Sequence, residues 1–341
     1  MTAEGVGSEN ILLVRTSALG DLAQALPALV AVRRARPHAR LGWVVDEAFA
    51  PLLEGHELLD EVLTLPLRRW RRGGAGRHRD LIRFLRRLRR FRADVALDLM
   101  GNHKGALIAL ASGARRRLGL RRADRREPSS ALWLTSTVAA RGAHAVERAL
   151  SVAAALVGPE PTVDFAPAAL ACGRDRVPPG DYIYLHPGGA WGNKRYPPAS
   201  WGQVAAQVGG ATGLEVRVGA APGETELAEQ VVAAGDAGTV RLDAPTLADL
   251  VGAIRGARLV LAGDTGAAHL ARAFDRPVVA VHGPTDPARH GPWGRLETAV
   301  FHALPCSFCH QRMDAAKPCL LAIPPAAVAA RARAVLGDGS V

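Results

Sequence analysis

The sequence has 341 residues, of which 48% are hydrophobic and 22% are charged. This composition is typical of a globular protein and excludes a largely disordered one. The length allows two domains of ordinary size. Four cysteines are too few and too unevenly spread for a secreted disulfide framework, and no apolar run is long enough to cross a bilayer. The first ten residues are polar and acidic, unlike a signal peptide, so we expect a cytoplasmic protein.

The formal charge of +11 is concentrated in the first half of the chain, where arginines crowd Arg68–Arg92 and recur between Arg115 and Arg126. Such a field favours anionic partners, namely nucleic acid, phosphorylated lipid or a membrane surface. The alternative is a compositional bias toward arginine on solvated helices. Only three lysines occur in the chain, which favours that alternative and makes Lys194 notable.

Short apolar runs alternate with helical patterns from one end of the chain to the other. Continuous apolar strands separated by helices indicate a parallel α/β sheet covered on both faces. The predicted strands of the first half are 11–14, 41–45, 62–65, 95–99 and 117–120, with helices over 80–92 and 143–157. After a Pro-, Ala- and Gly-rich segment, the predicted strands are 182–185, 214–218, 239–242, 259–262 and 278–281, with helices over 247–255 and 324–336.

The first loop that could take part in catalysis or binding follows the first predicted strand and contains Gly20 and Asp21. A carboxylate beside a helix N-terminus is favoured in its ionised form. Asp21 is therefore a candidate general base, although the spacing alone slightly favours a role in capping the helix.

A glycine-rich loop with Lys194 and Arg195 follows the strand at 182–185. Its backbone amides and basic side chains suit a diphosphate. The loop lacks the Walker A ending, and the dinucleotide-binding G-x-G-x-x-G fingerprint occurs nowhere in the chain.

The strand at 259–262 runs directly into Asp264-Thr265-Gly266-Ala267-Ala268-His269. Small residues at this helix start keep backbone amides open to an anion, and Thr265 adds a hydroxyl. His269 lies one turn beyond Thr265 on the same side of the helix, where a structural and a functional role are equally plausible. The next predicted strand is followed by His282-Gly283-Pro284-Thr285-Asp286-Pro287. A tight turn explains the glycine and proline content of this segment without any function.

Cys306-x-x-Cys309-His310, together with Cys319, leaves two interpretations open. The spacing permits a zinc site, but a fourth ligand is not obvious. Ordinary buried or loop thiols are the simpler interpretation.

These segments, in this order, resemble glycosyltransferase family 9, the ADP-heptose:lipopolysaccharide heptosyltransferases, over nearly the full length. The matching sequences are 11–21 with 26–29, 43–47, 194–197, 264–266 with 269, and 283–287. The resemblance implies an α/β, GT-B fold: two Rossmann-like domains with parallel sheets facing an interdomain cleft. It implies an acceptor-binding domain over 1–165, a linker over 166–181, a nucleotide-sugar-binding domain over 182–322, and a C-terminal helix over 323–341 that crosses back.

The resemblance also implies inverting transfer from ADP-heptose without a cofactor or an essential metal. It makes Asp21 the general base and Lys194 a contact of the donor diphosphate. Donor binding is further implied for Asp264, Thr265, Gly266 and His269. Glu224 is the expected ribose contact, with Glu226 as a possible substitute.

Within the family, the arginine segments resemble the first heptosyltransferase, whose acceptor is of the Kdo-lipid A type. The expected acceptor-binding residues are Arg68, Arg69, Arg71, Arg72 and Arg126. Guanidinium groups pair with both carboxylates and phosphates, which such an acceptor carries. The loop 188–192 and the cysteines resemble the second heptosyltransferase instead, which leaves the acceptor open. A lipid-linked acceptor implies peripheral contact with the inner leaflet of the cytoplasmic membrane.

Two other function classes remain possible from the residues alone. A nucleic-acid-binding protein would use the arginine clusters, but the aromatic residues among them are too sparse for base stacking, so we expect no nucleic-acid partner. A dinucleotide-dependent oxidoreductase is disfavoured by the missing fingerprint.

Overall fold

A computed structural model describes residues 9–71, 76–159, 161–189, 191–311, 314 and 318–337. The chain divides into two compact units, one ending at Cys172 and the other starting at Gly173. This boundary falls inside the segment expected to be a linker. Within the described ranges, none of the helices combines the length and hydrophobicity needed to span a bilayer.

The first unit is built around a six-stranded parallel sheet with the strand order β3-β2-β1-β4-β5-β6. Its strands are β1 (Asn10–Val14), β2 (Arg40–Asp46), β3 (Glu61–Leu65), β4 (Val95–Asp98), β5 (Arg116–Leu120) and β6 (Ser136–Val138). Its helices are α1 (Leu19–Ala35), α2 (Ala50–Leu53), α3 (Leu67–Arg71), α4 (Arg77–Arg90), α5 (His103–Ser112) and α6 (Ala145–Val157).

The second unit has the same architecture, with the strand order β12-β11-β10-β7-β8-β9. Its strands are β7 (Tyr182–His186), β8 (Glu215–Ala220), β9 (Thr239–Asp243), β10 (Leu259–Gly263), β11 (Val278–His282) and β12 (Ala299–Phe301). Its helices are α7 (Pro198–Thr212), α8 (Thr225–Ala233), α9 (Leu247–Gly256), α10 (Gly266–Ala273), α11 (Pro287–His290), α12 (Pro318–Leu321) and α13 (Pro325–Gly337).

Both sheets are buried on both faces, which explains why their central strands read as continuous apolar runs. Every residue of β10 is buried, as is every residue of β7 and β11. Each sheet also has one point where the strand order reverses, between β1 and β4 in the first and between β7 and β10 in the second. Ligands of open α/β sheets bind at the carboxyl ends of the strands at such a point. We therefore expect the ligand-binding residues in the loops that follow these four strands.

The last helix, α13, packs on α7 and β11. Its Val328, Ala329 and Ala332 are fully buried in the core of the second sheet, beside Trp201 and Val281. By these contacts the helix completes the second unit. Its expected crossing to the first domain stays a prediction.

Candidate functional site

Three polar side chains lie on one face of the second sheet, at the carboxyl ends of β7, β10 and β11. His186 pairs in register with Ala262, and Gly263 pairs with Val281. Because neighbouring residues in register point to the same face, Asp264 and His282 come to lie side by side, on the same face as His186. The opposite face carries Leu185, Leu261 and Val281 and packs into the apolar core.

Asp264 is the centre of a compact charge cluster at this edge. One of its carboxylate oxygens accepts a hydrogen bond from Lys194 Nζ at 2.6 Å, and the other lies 3.6 Å from His269 Nε2. Burial acts to raise the pKa of Asp264, but the adjacent His269 imidazole and the nearby positive charge of Lys194 hold it well below its ordinary range. The carboxylate is thus ionised, and it fixes the positions of the ammonium group and the imidazole.

Helix α10 begins at Gly266, directly beside this cluster. Thr265 occupies the N-cap position, yet its side chain makes no capping hydrogen bond. Its buried Oγ1 has no hydrogen-bond partner among the described residues. The first amides of α10 and the Thr265 hydroxyl are therefore able to donate to an anion, as the sequence predicts.

The loop that carries Lys194 forms a short 3₁₀ turn over Gly192–Lys194. The Lys194 ammonium lies 4.8 Å from the centroid of the Trp191 ring, a cation–π distance, and its side chain is 15% exposed. Arg195 instead holds the loop, because its Nε donates to the Gly189 carbonyl at 3.0 Å. Of the two basic residues, Lys194 is therefore the one that contacts Asp264 in the charge cluster.

Glu224 lies next to the glycine-rich loop, at the N-cap of α8. A Cβ placed on Gly188 would come within 2.2 Å of the Glu224 carboxylate, so glycine is what lets the two segments approach. The Oε2 atom of Glu224 is buried without a partner among the described residues, whereas Glu226 is exposed. This geometry favours Glu224 over Glu226 as the acidic residue of the site.

In the first unit, Asp21 lies in the first turn of α1 at the carboxyl end of β1. Its carboxylate accepts a hydrogen bond from the Ala18 amide at 2.9 Å and forms an ion pair with Arg15 at 2.6 Å. The side chain is 35% exposed, so it remains accessible to solvent. Asp21 thus caps its helix and also presents a solvent-accessible carboxylate beside Arg15.

Comparison with known proteins identifies the family. The family described as glycosyltransferase family 9 (heptosyltransferase) matches residues 81–320. The chain belongs to glycosyltransferase family 9.

Relatives of known name agree with this family. The chain is 33% identical over 321 residues to lipopolysaccharide heptosyltransferase 1 of Pseudomonas aeruginosa, covering 90% of this chain and 88% of that protein. Its structure is similar to the E. coli heptosyltransferase WaaC with ADP, with a TM-score of 0.80 and 26% identity over 96% and 99% of the two chains. The same enzyme with ADP-2-deoxy-2-fluoro heptose matches with a TM-score of 0.74 and 27% identity over 87% and 94%. The α/β, GT-B fold expected from the sequence is confirmed, and the protein is a glycosyltransferase.

A buried ion pair in this family 9 chain escapes sequence reasoning. Asp98, the last residue of β4, pairs with Arg125, and both side chains are fully buried. Arg125 also donates to Ser130 Oγ at 2.7 Å. Burial raises the pKa of Asp98, and the Arg125 guanidinium opposes that shift. The pair secures the segment that follows β5. The one available sequence signal was the position of Asp98 at a strand end on the same edge as Asp21.

The arginines expected to bind the acceptor are described only in part. Arg69 is exposed, 3.3 Å from Asp80 and 3.6 Å from Glu47, so two carboxylates already offset its charge. Arg126 is exposed on the segment that Arg125 secures. The side chains of Arg68 and Arg71, and the whole of Arg72, lie outside the described residues.

The cysteines do not form a metal-binding cluster in the described part of the chain. Cys306 is exposed, Cys309 is half-buried and Cys319 is buried. Burial raises the pKa of the Cys319 thiol, which disfavours the thiolate that a metal needs. Among the described residues, no group of three or more His, Cys, Asp or Glu side chains has the spacing to hold a metal ion.

Proposed function

We propose that this family 9 enzyme transfers heptose from ADP-L-glycero-D-manno-heptose to the Kdo-containing inner core of lipopolysaccharide. The observation that carries the proposal is the Lys194–Asp264–His269 cluster beside the first turn of α10. The name of the Pseudomonas relative supports heptose as the sugar and lipopolysaccharide as the acceptor, and the ADP and ADP-2-deoxy-2-fluoro heptose of the two similar E. coli structures support the nucleotide.

The donor diphosphate binds between Lys194 and the amides at the start of α10. The ammonium supplies charge, and the amides with the Thr265 hydroxyl supply directed hydrogen bonds. The Glu224 carboxylate accepts hydrogen bonds from the ribose hydroxyls, for which its Oε2, without a partner among the described residues, is available. Each of these groups belongs to the second unit.

Transfer proceeds with inversion at the anomeric carbon. The acceptor oxygen attacks that carbon on the face opposite the diphosphate, and the carbon–oxygen bond to the leaving ADP breaks as the new bond forms. The acceptor's proton passes to the Asp21 carboxylate. A well-placed general base contributes about 10²–10⁴ in rate.

The reaction needs no metal in this proposal, because Lys194 and the amides of α10 stabilise the charge that develops on the departing diphosphate. Transfer in excess chelator at an unchanged rate is the expected result. Loss of transfer with chelator, restored by added Mg²⁺, would contradict the metal-independent mechanism.

A lipid-linked acceptor is presented at the inner leaflet of the cytoplasmic membrane, and we place the enzyme there as a peripheral protein. Exposed arginines such as Arg126 suit its carboxylates and phosphates. Sedimentation with anionic vesicles tests this placement. We expect binding that weakens with salt, and an absence of binding at low salt would contradict it.

A transfer assay identifies the acceptor. It measures heptose transfer from ADP-heptose to two acceptors, Kdo-lipid A and heptosylated Kdo-lipid A. Product from Kdo-lipid A alone is the expected result. Product from the heptosylated acceptor alone would establish the second-type activity that the loop around Gly188 and the cysteines resemble. Product from neither would overturn heptosyl transfer to this core.

A further inference from the structure

The last residue of β11 and the turn that follows it contain three buried polar atoms that lack partners among the described residues. His282 is 1% exposed and Thr285 is 2% exposed. Both ring nitrogens of His282 and the hydroxyl of Thr285 find no hydrogen-bond partner among the described residues. Leaving one buried polar group unpaired is costly, and most such groups in folded proteins are satisfied. Three unpaired polar atoms so close together point to a ligand that forms hydrogen bonds with them.

This turn borders the charge cluster of the donor site. The Asp264 amide donates to the Val281 carbonyl at 3.1 Å, which fixes β11 against the end of β10. Asp264 and His282 are therefore neighbours on one face of the sheet. The His282 side chain faces the edge at which the donor binds, and not the apolar core.

The chemistry of the turn suits hydroxyl groups better than phosphates. Burial lowers the pKa of His282 to about 4, with Asp264 and Asp286 opposing that shift and His269 and Lys194 adding to it. The ring is thus neutral at neutral pH, with one nitrogen that donates and one that accepts. The Thr285 hydroxyl likewise donates and accepts. Uncharged groups of this kind match a polyol, whereas Lys194 and the α10 amides match an anion.

The order of the strands agrees with the order of parts in a nucleotide sugar. Along the sheet, β8, β7, β10 and β11 are successive neighbours, and they lead to Glu224, Lys194, Asp264 and His282 respectively. These four strands span about 15 Å at the usual strand separation. With ribose at Glu224 and diphosphate at Lys194, the sugar is directed to β11.

We propose that His282 and Thr285 bind hydroxyl groups of the donor's sugar and set the enzyme's specificity for it. The inference rests on the proposed donor site and extends it, because it separates the residues that recognise ADP from those that recognise the sugar.

The test uses full-length Thr285→Val and His282→Leu, with the dissociation constants of ADP and ADP-heptose measured calorimetrically without acceptor. We expect ADP-heptose affinity to fall about tenfold, the effect of losing a buried hydrogen bond, while ADP affinity changes by less than about twofold. Unliganded Thr285→Val should melt no lower than the wild type, because valine removes an unsatisfied hydroxyl without changing the side-chain shape.

Two matched variants control for burial. Thr298→Val removes a buried hydroxyl that is already satisfied by the Arg295 carbonyl at 2.8 Å, and His56→Leu removes a buried histidine of the first unit. Neither should alter the preference for ADP-heptose over ADP.

Variants of His282 and Thr285 that keep the wild-type preference, or that lose ADP and ADP-heptose equally, would overturn the inference alone. A wild-type protein that binds neither ligand would overturn the donor site itself, and the inference with it.

Discussion

The ammonium of Lys194, which we propose binds the donor diphosphate, pairs with the Asp264 carboxylate, whose side chain is 6% exposed. Removing one partner of a buried pair leaves the other uncompensated, a loss of about 3–5 kcal/mol for a fully buried pair. Lys194→Met should therefore lower the melting temperature and abolish the shift that ADP produces. Lys194→Met with Asp264→Asn should recover the melting temperature but not the ADP shift, because the positive charge is still missing.

Thermal melting with and without ADP distinguishes these effects. Arg241→Met is the control, since Arg241 pairs with Glu229 at 2.5 Å but both side chains are exposed, and such pairs contribute little. A double variant that stays as unstable as Lys194→Met would show that the pair is not the origin of the destabilisation.

His56 makes the first unit sensitive to acid. Burial lowers the pKa of His56 to about 4, and its Nδ1 accepts a hydrogen bond from the Leu58 amide, which requires the neutral ring. The unfolded chain, with a histidine pKa of about 6.5, binds more protons between these values. The free energy of unfolding should therefore fall as the pH drops from 6.5 toward 4, by on the order of 3 kcal/mol from this residue.

Urea unfolding at pH 7.5, 5.5 and 4.5 measures this dependence. His56→Gln, which does not titrate in this range, should show a smaller loss of stability than the wild type between pH 7.5 and 4.5. An identical pH dependence in the two proteins would rule out His56 as a source of the acid sensitivity.

Residue-level sequence reasoning placed Asp264 and His269 in one site because they share a strand end and one helix turn. The two side chains lie 3.6 Å apart, and their contact with the donor stays a prediction. Asp98 and Arg125 were missed because nothing in the local pattern shows that two charged residues far apart in the chain bury together. Burial of charge is a tertiary property that spacing does not encode.

At the level of elements, periodicity located ten of the twelve strands found in the described residues. The two missed strands, β6 (Ser136–Val138) and β12 (Ala299–Phe301), are the edges of their sheets and have only three residues each. Strands of three residues are too short to show an apolar run. Both lie at the edge of a sheet, and none of their residues is buried. Central strands were predictable because burial on both faces demands continuous hydrophobic sequence.

The glycine-rich loop after β7 gives a prediction about close packing. A Cβ at position 188 would lie 2.2 Å from the Glu224 carboxylate, whereas at position 189 the nearest atom is 3.4 Å away. Gly188→Ala should therefore displace Glu224 and weaken ADP binding about as much as Glu224→Gln does. Gly189→Ala, its neighbour in the same loop, should bind ADP nearly as the wild type.

Calorimetric titration of ADP into the three variants and the wild type tests this packing. Equal ADP affinity of Gly188→Ala and Gly189→Ala would contradict a role for the Gly188–Glu224 approach.

At the scale of the whole molecule, the chain contains the same α/β architecture twice. Each unit is a six-stranded parallel sheet with a single reversal of strand order. The alternation of apolar runs and helices was enough to predict this repetition. The packing of α13 was not predictable, because its alanine-rich sequence offers little to choose one apolar surface over another. Its Val328, Ala329 and Ala332 lie in the second core.

In the proposed mechanism, the second unit holds the nucleotide sugar and Asp21 of the first unit acts on the acceptor. Asp21→Asn isolates this claim, because asparagine keeps the size of the side chain but is not a base. Asp249→Asn is its matched control. Asp249 caps α9 as Asp21 caps α1, by accepting a hydrogen bond from the Thr246 amide at 3.1 Å.

The most direct measurement is the rate of heptosyl transfer by Asp21→Asn, Asp249→Asn and the wild type, together with the ADP affinity of each. The account predicts that Asp21→Asn binds ADP like the wild type while its transfer rate falls by about 10²–10⁴. Asp249→Asn should retain both properties. Transfer by Asp21→Asn at a rate near that of the wild type would contradict the assignment of Asp21 as the base.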